Sequence, residues 1–233
     1  MKTLIVGTVL GAAAVTSTFA QGNVIFNNNN ATKISINTGE TGPATGLLPA
    51  NDGTLANTFY FALFVSPTAT TVGGNSGPVT GFGSYAFQDP NWTLAETASG
   101  PAIAENIATP GRLASLVAGP DGYTTTLENA GPADYFVVVG WSGNIGSSIA
   151  SVESFLDGTD GGVTSGYLGE SNVSGLIYTG DEPIIPDAEL FGKAPGYINT
   201  FVLSDPTVVP EPSTIALGIM GVATLLGFRR NQA

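Results

Sequence analysis

The sequence predicts an all-β fold, an antiparallel β-sandwich or jelly-roll-like domain with one or two short helices. Three observations lead there. The 32 glycines and 15 prolines make about a fifth of the 233 residues, against a usual share of roughly 12%, so turns are many and long helices few. Apolar, β-branched and aromatic residues come in short runs of strand length. Clusters of Gly, Asn and Pro separate those runs, as in NTGETGPATG (37–46) and TVGGNSGPVTG (71–81).

Taken in chain order, NVIFN (23–27) and KISIN (33–37) alternate apolar and polar residues and predict strands with one buried face. NNNN (27–30) is too short for an asparagine-rich assembly segment and reads as a polar turn after the first strand. TFYFALFVS (58–66) and YFVVVGWS (135–142) are apolar almost throughout, which predicts central strands buried on both faces or across a sandwich core. A helix is expected only over 147–158, where Ile149, Val152 and Phe155 with Leu156 share one face. Ser147 or Ser148 can cap its start, and Gly158 can end it. YINTFVLS (197–204) closes the domain as a strand.

The apolar share of 42% is that of a globular chain, and one folded domain is expected over residues 21–206. With no cysteine and no histidine, thiol nucleophiles, disulfides, histidine general bases and ordinary zinc sites are excluded. No cofactor is expected, calcium apart. Residues 21–210 hold seventeen acidic side chains against Lys33, Arg112 and Lys193, a net charge of −14. Nucleic acid and bare anionic membrane are therefore not expected as partners, because both need basic clusters. Solubility outside the cell is the simplest use of such acidity.

The two ends carry addressing information. Residues 1–20, MKTLIVGTVLGAAAVTSTFA, have Lys2, an apolar stretch from Leu4 to Val15 and small residues up to Ala20. This is the layout of a secretory signal peptide, cut by signal peptidase between Ala20 and Gln21. The alternative, an uncleaved anchor, is disfavoured because the run is about 12 residues, short of the ~20 that span a bilayer. Residues 207–233 contain Pro210, Glu211 and Pro212, then an uncharged stretch at 213–228, then Arg229 and Arg230. As a helix, 213–228 rises about 24 Å, a short membrane span. The arginines orient it with its end in the cytoplasm. Val209 and Glu211 each precede a proline and are pushed to extended backbone, so the helix begins at about Pro212 with Glu211 at its positive end.

Pro210-Glu211-Pro212, an apolar run and Arg229-Arg230, in that order, closely resemble the PEP-CTERM sorting signal of exported bacterial proteins. The resemblance implies that an exosortase, a membrane enzyme, removes the tail and passes the protein to the cell surface or to extracellular polysaccharide. QGNVIFNN after the leader, FALFVSP, ATPGRLAS and FVVVGWSGN also resemble a group of PEP-CTERM surface proteins, which implies one β-rich domain and no activity. A single-pass tail anchor with a proline-rich stalk is the alternative.

Four features have the chemistry for a site within the body. DGTDGG (157–162) sets Asp157 and Asp160 on a glycine-rich turn able to offer carboxylates and carbonyls to calcium, although Asp and Gly are also ordinary turn residues. TGDEPIIPDAEL (179–190) concentrates Asp181, Glu182, Asp187 and Glu189 around two prolines, as a cation site or a solvated loop. Trp92, in a loop-to-strand context, is the candidate for stacking on a sugar ring, whereas Trp141 ends an apolar strand and is expected in the core with its N–H at the rim. Carboxylates alone can serve a glycosidase, but no motif selects a pair among eighteen acids. The expected function is thus a non-enzymatic exported surface or matrix protein. The alternatives are a carbohydrate-binding module, with or without calcium, associating with extracellular polysaccharide, and a carboxylate-based glycoside hydrolase.

Overall fold

The computed structural model describes residues 22–38, 44–81, 83–117, 119, 124–159, 161–163, 165–179, 187–192 and 197–205. Its strands are β1 (Gly22–Ile25), β2 (Ser35–Asn37), β3 (Gly46–Leu47), β4 (Phe59–Ser66), β5 (Val79–Thr80), β6 (Thr93–Leu94), β7 (Glu96–Thr97) and β8 (Gly100–Pro101). They continue as β9 (Ile103–Asn106), β10 (Leu113–Ser115), β11 (Thr124–Leu127), β12 (Ala133–Ser142), β13 (Leu168–Glu170), β14 (Ile177–Tyr178), β15 (Ala188–Glu189) and β16 (Val202–Ser204). One α-helix, α1 (Ile149–Leu156), and two single-turn 3-10 helices, Leu55–Asn57 and Ala86–Gln88, complete the regular structure among the described residues. The fold is all-β.

The two apolar runs form its axis. β4 and β12 pair antiparallel over eight residues, from Tyr135 opposite Ser66 to Ser142 opposite Phe59. Around them a sheet runs in the order β10-β9-β4-β12-β13-β16-β2-β3, with β14, β5 and β6 attached to β12, β13 and β4, and it curls into a half-barrel. Side chains alternate across this pair. Phe59, Phe61, Leu63 and Val65 with Phe136 and Val138 face one core, while Ala62, Phe64, Val137, Val139 and Trp141 face a second. Burial on both faces is why neither run alternates in sequence.

A small sheet, β11-β1-β15, supplies Val24, Leu127 and Ala188 to the first core. The second core is closed by α1, through Val152 and Phe155, and by loop residues including Tyr85 and Trp92. Ser148 caps α1 by accepting from Ser151 N–H at 3.2 Å, and Gly158 leaves it at φ +66°. Strand pairing is mostly antiparallel, but β16·β2 and β1·β15 are parallel. These two parallel pairings depart from the antiparallel arrangement the sequence predicts. Residues 197–204 form a strand only from Val202, since Ile198 makes an isolated bridge to Phe191.

Side chains complete the backbone pairing where ladders stop. Asn28, from the NNNN turn, is buried; its amide donates to the carbonyls of Thr32 and Gly111 at 2.9 and 2.8 Å, and its oxygen accepts from Leu113 N–H at 2.8 Å. Asn106 donates to the carbonyls of Pro49 and Asn57 and accepts from Phe59 N–H at 2.8 Å. Asn28 ties its own turn to 111–113, and Asn106 ties its strand to the segments around Pro49 and 57–59, with no polar atom of either amide left without a partner.

Candidate functional site

A groove of about 400 Å³ lies where β14, attached to the large sheet, meets β15 at the edge of the small one. Strand alternation builds it. In β14, Ile177 points into the first core and Tyr178 points out, 67% exposed beside exposed Leu176. Along β15 and the residue on either side of it, Ala188 and Leu190 pack inward, so Asp187 and Glu189 fall together on the opposite face. Tyr197 completes the lining, and Gly192 leaves space for its ring: a Cβ at 192 would sit 2.9 Å from Tyr197 Cγ.

Electrostatically the groove is one-sided. Among the described residues its lining holds two carboxylates and two phenols and no lysine or arginine. One oxygen of Asp187 accepts from the Thr124 hydroxyl on β11. The other is buried without a hydrogen-bond partner, the one such side-chain atom among the described residues. An acceptor left in that condition favours any donor that reaches it.

A second carboxylate of unusual character lies outside the groove. Glu170, in β13, is buried, and one of its oxygens accepts from Ala86 N–H at 2.6 Å. Burial pushes its carboxyl up to about 8, against the Ala86 hydrogen bond and with help from the Asp89 charge. Beside it, burial and then the Glu170 charge raise the Tyr85 phenol, whose hydroxyl donates to the Gly81 carbonyl. Burial likewise raises Asp134, behind β14.

The chain matches no family model, no curated protein and no solved structure. The site residues expected from sequence therefore stand on the geometry alone. Trp92 corrects an expectation: it is 5% exposed, packed in the second core, and its indole N–H donates to the Thr71 carbonyl at 2.9 Å. Its ring has no free face for a sugar. Trp92→Phe is accordingly expected to cost about 1–2 kcal/mol of stability in urea denaturation, through the Thr71 carbonyl left without its donor, and to leave glycan binding unchanged. Unchanged stability with lost glycan binding would contradict this placement. Trp141 is fully buried as expected, with its N–H on the Gly146 carbonyl at 2.8 Å.

Asp157 is the exposed C-cap residue of α1. Its proposed calcium partner Asp160 lies outside the described residues, as do Asp181, Glu182, Ala20, Gln21, Pro210, Glu211, Pro212, Arg229 and Arg230. Among the described residues no three acidic side chains group as metal ligands, and no helix is long and apolar enough to cross a membrane. Of the acidic 179–190 segment, Asp187 and Glu189 reach the groove. Sequence reasoning missed Leu176, Tyr178 and Tyr197, although the spacing of Tyr178 one residue after Ile177 carried the alternation that exposes it.

Proposed function

We propose that this protein is an exported, non-enzymatic surface or matrix protein, with a β-sandwich, jelly-roll-like body delivered by a signal peptide and processed at a PEP-CTERM tail by an exosortase. The observation that carries this reading is an order along one chain: leader, β-rich body, Pro210-Glu211-Pro212, an uncharged stretch at 213–228, and Arg229-Arg230. The prolines hold Glu211 on stiff extended backbone outside the lipid, where a processing enzyme can read it. The arginines hold the opposite end inside. Glu211→Ala with Pro212→Ala is expected to leave the protein in the membrane with its tail attached, seen as retained tail mass by mass spectrometry of the membrane fraction. Normal release and processing of that variant would overturn the motif's role.

A second reading, that the body binds carbohydrate, is favoured by the groove. Tyrosines give a sugar an apolar face and a hydroxyl at low entropic cost, and carboxylates accept from sugar hydroxyls. Tyr178, Tyr197, Asp187 and Glu189 bring both kinds of group to one open depression. This site replaces the surface sought at Trp92.

A further inference from the structure

Resting on the reading of residues 213–228 as a membrane span, we infer that the end of the large sheet where β16 stops faces the phospholipid surface before the tail is removed, with Leu55 meeting the lipid. Five strands bring a terminus to that end. Ser204, the last residue of β16, pairs with Leu168 at the start of β13 and, on its other side, with Asn37 at the end of β2. Further along, Trp141 near the end of β12 lies opposite Leu168, and Ser142 lies opposite Phe59 at the start of β4. Polar contacts carry the connection across. Asp205 accepts from Gly166 N–H at 3.3 Å, Ser142 N–H donates to the Tyr167 carbonyl at 2.9 Å, and Gly143 N–H donates to the Thr58 carbonyl at 2.7 Å. Just before Thr58 comes the 3-10 turn Leu55–Asn57, where Leu55 is 66% exposed with exposed Ala56 beside it. Three strand spacings put this turn about 15 Å from Ser204.

Chain length sets the orientation. From Ser204 to Pro212, where the span begins, there are eight residue steps, so even full extension reaches at most about 28 Å. A body the size of residues 22–204 has a radius of gyration of roughly 16 Å and a diameter of about 40 Å. To set the opposite end on the lipid, the chain would have to pass round half the circumference, about 60 Å. The tether excludes that arrangement. Between lying on its side and standing on the β16 end, Leu55 decides: an exposed leucine gains at the headgroup boundary, and the short tether holds it there at high effective concentration. Charge supplies no attraction, since a net charge of −14 over residues 21–210 is repelled by anionic lipid. Asp52 lies at this end too and accepts from Thr54 N–H and the Asn57 amide. The opposite end, where Ser66 faces Tyr135 and Tyr178 faces Ala133, looks away from the lipid.

The chain has no cysteine, so a single introduced one takes a single fluorescent label. Thr38→Cys and Ala56→Cys mark the β16 end at exposed positions, and Thr68→Cys marks the opposite end, two residues past the last residue of β4. Each variant, purified with its tail from a host that exports it and does not process it, is reconstituted into phosphatidylcholine vesicles whose headgroups carry a nitroxide quencher. Quenching at 38 and 56 is expected to be several-fold stronger than at 68. Leu55→Asp should weaken it at 56, and a flexible Gly/Ser insert of about 20 residues after Asp205 should shrink the contrast between the two ends. Flotation with the vesicles but equal quenching at all three positions would overturn the orientation and leave the membrane span standing. Failure to float would remove the span and the orientation together. An undiminished signal at 56 in Leu55→Asp would overturn the lipid contact given to Leu55, and an undiminished contrast with the insert would show that the tether does not set the orientation.

Discussion

Glu170→Gln is expected to flatten the loss of stability that the wild-type protein suffers between about pH 4.5 and pH 8. In the folded protein the carboxyl holds its proton up to about 8, whereas in the unfolded chain it releases it near its ordinary value of 4.5. Between those values the folded state binds more protons than the unfolded one, so stability falls as pH rises, and above the folded value the full loss is in place. Below about 4.5 both states hold the proton and the group contributes no pH dependence. The span of some three and a half pH units corresponds to a loss of about 5 kcal/mol, large against a usual total of 5–15 kcal/mol. Glutamine keeps an oxygen for the Ala86 N–H and has no charge to bury. Urea midpoints followed by the fluorescence of Trp92 and Trp141, both in the second core with Tyr85, should diverge between wild type and variant as pH is raised. Parallel curves would show that Glu170 titrates like an exposed acid.

Trp141→Ala is expected to cost about 4 kcal/mol, the range for removing a buried aromatic ring and leaving a cavity. The loss has a second stage. Helix α1 has about two turns, too few to stand alone in water, and it is held to the sheet by Val152 and Phe155, which share the second core with Trp141. The Gly146 carbonyl, just before the helix cap, also loses its donor. Hydrogen exchange in 149–156 should therefore rise by more than in β4, while Trp141→Phe should show a smaller loss in both. Uniform acceleration across the chain would mean that α1 is anchored by something other than this core.

The elements legible in the sequence are those whose stability is decided locally. β4 and β12 were predicted within two residues at each end because a long β-branched and aromatic run has no other way to bury itself. α1 was legible because Ser148, the Val152/Phe155 face and Gly158 specify start, side and stop within twelve residues. Strands of two to four residues, such as β9, β10 and β13, were missed, since their pairing is set by partners far along the chain. Trp92 was misplaced because one aromatic among Asn, Pro and Thr has no period to tell an inward from an outward side chain. The groove was half visible. Asp187 and Glu189 announced themselves by charge, but only tertiary pairing of β14 with β12 and of β15 with β1 brings Leu176, Tyr178 and Tyr197 beside them.

The parallel pairing of β16 with β2 sets Val202 beside Ser35 and Ser204 beside Asn37. A strand made among the first waits for one made among the last, so a chain emerging amino end first cannot finish its large sheet until nearly all of it is free. Closing so long a loop is slow and is rewarded late. Nascent or truncated products that stop short of Ser204 should therefore stay open to proteases, and the step to resistance should come abruptly with the final stretch of the body rather than accumulate with length.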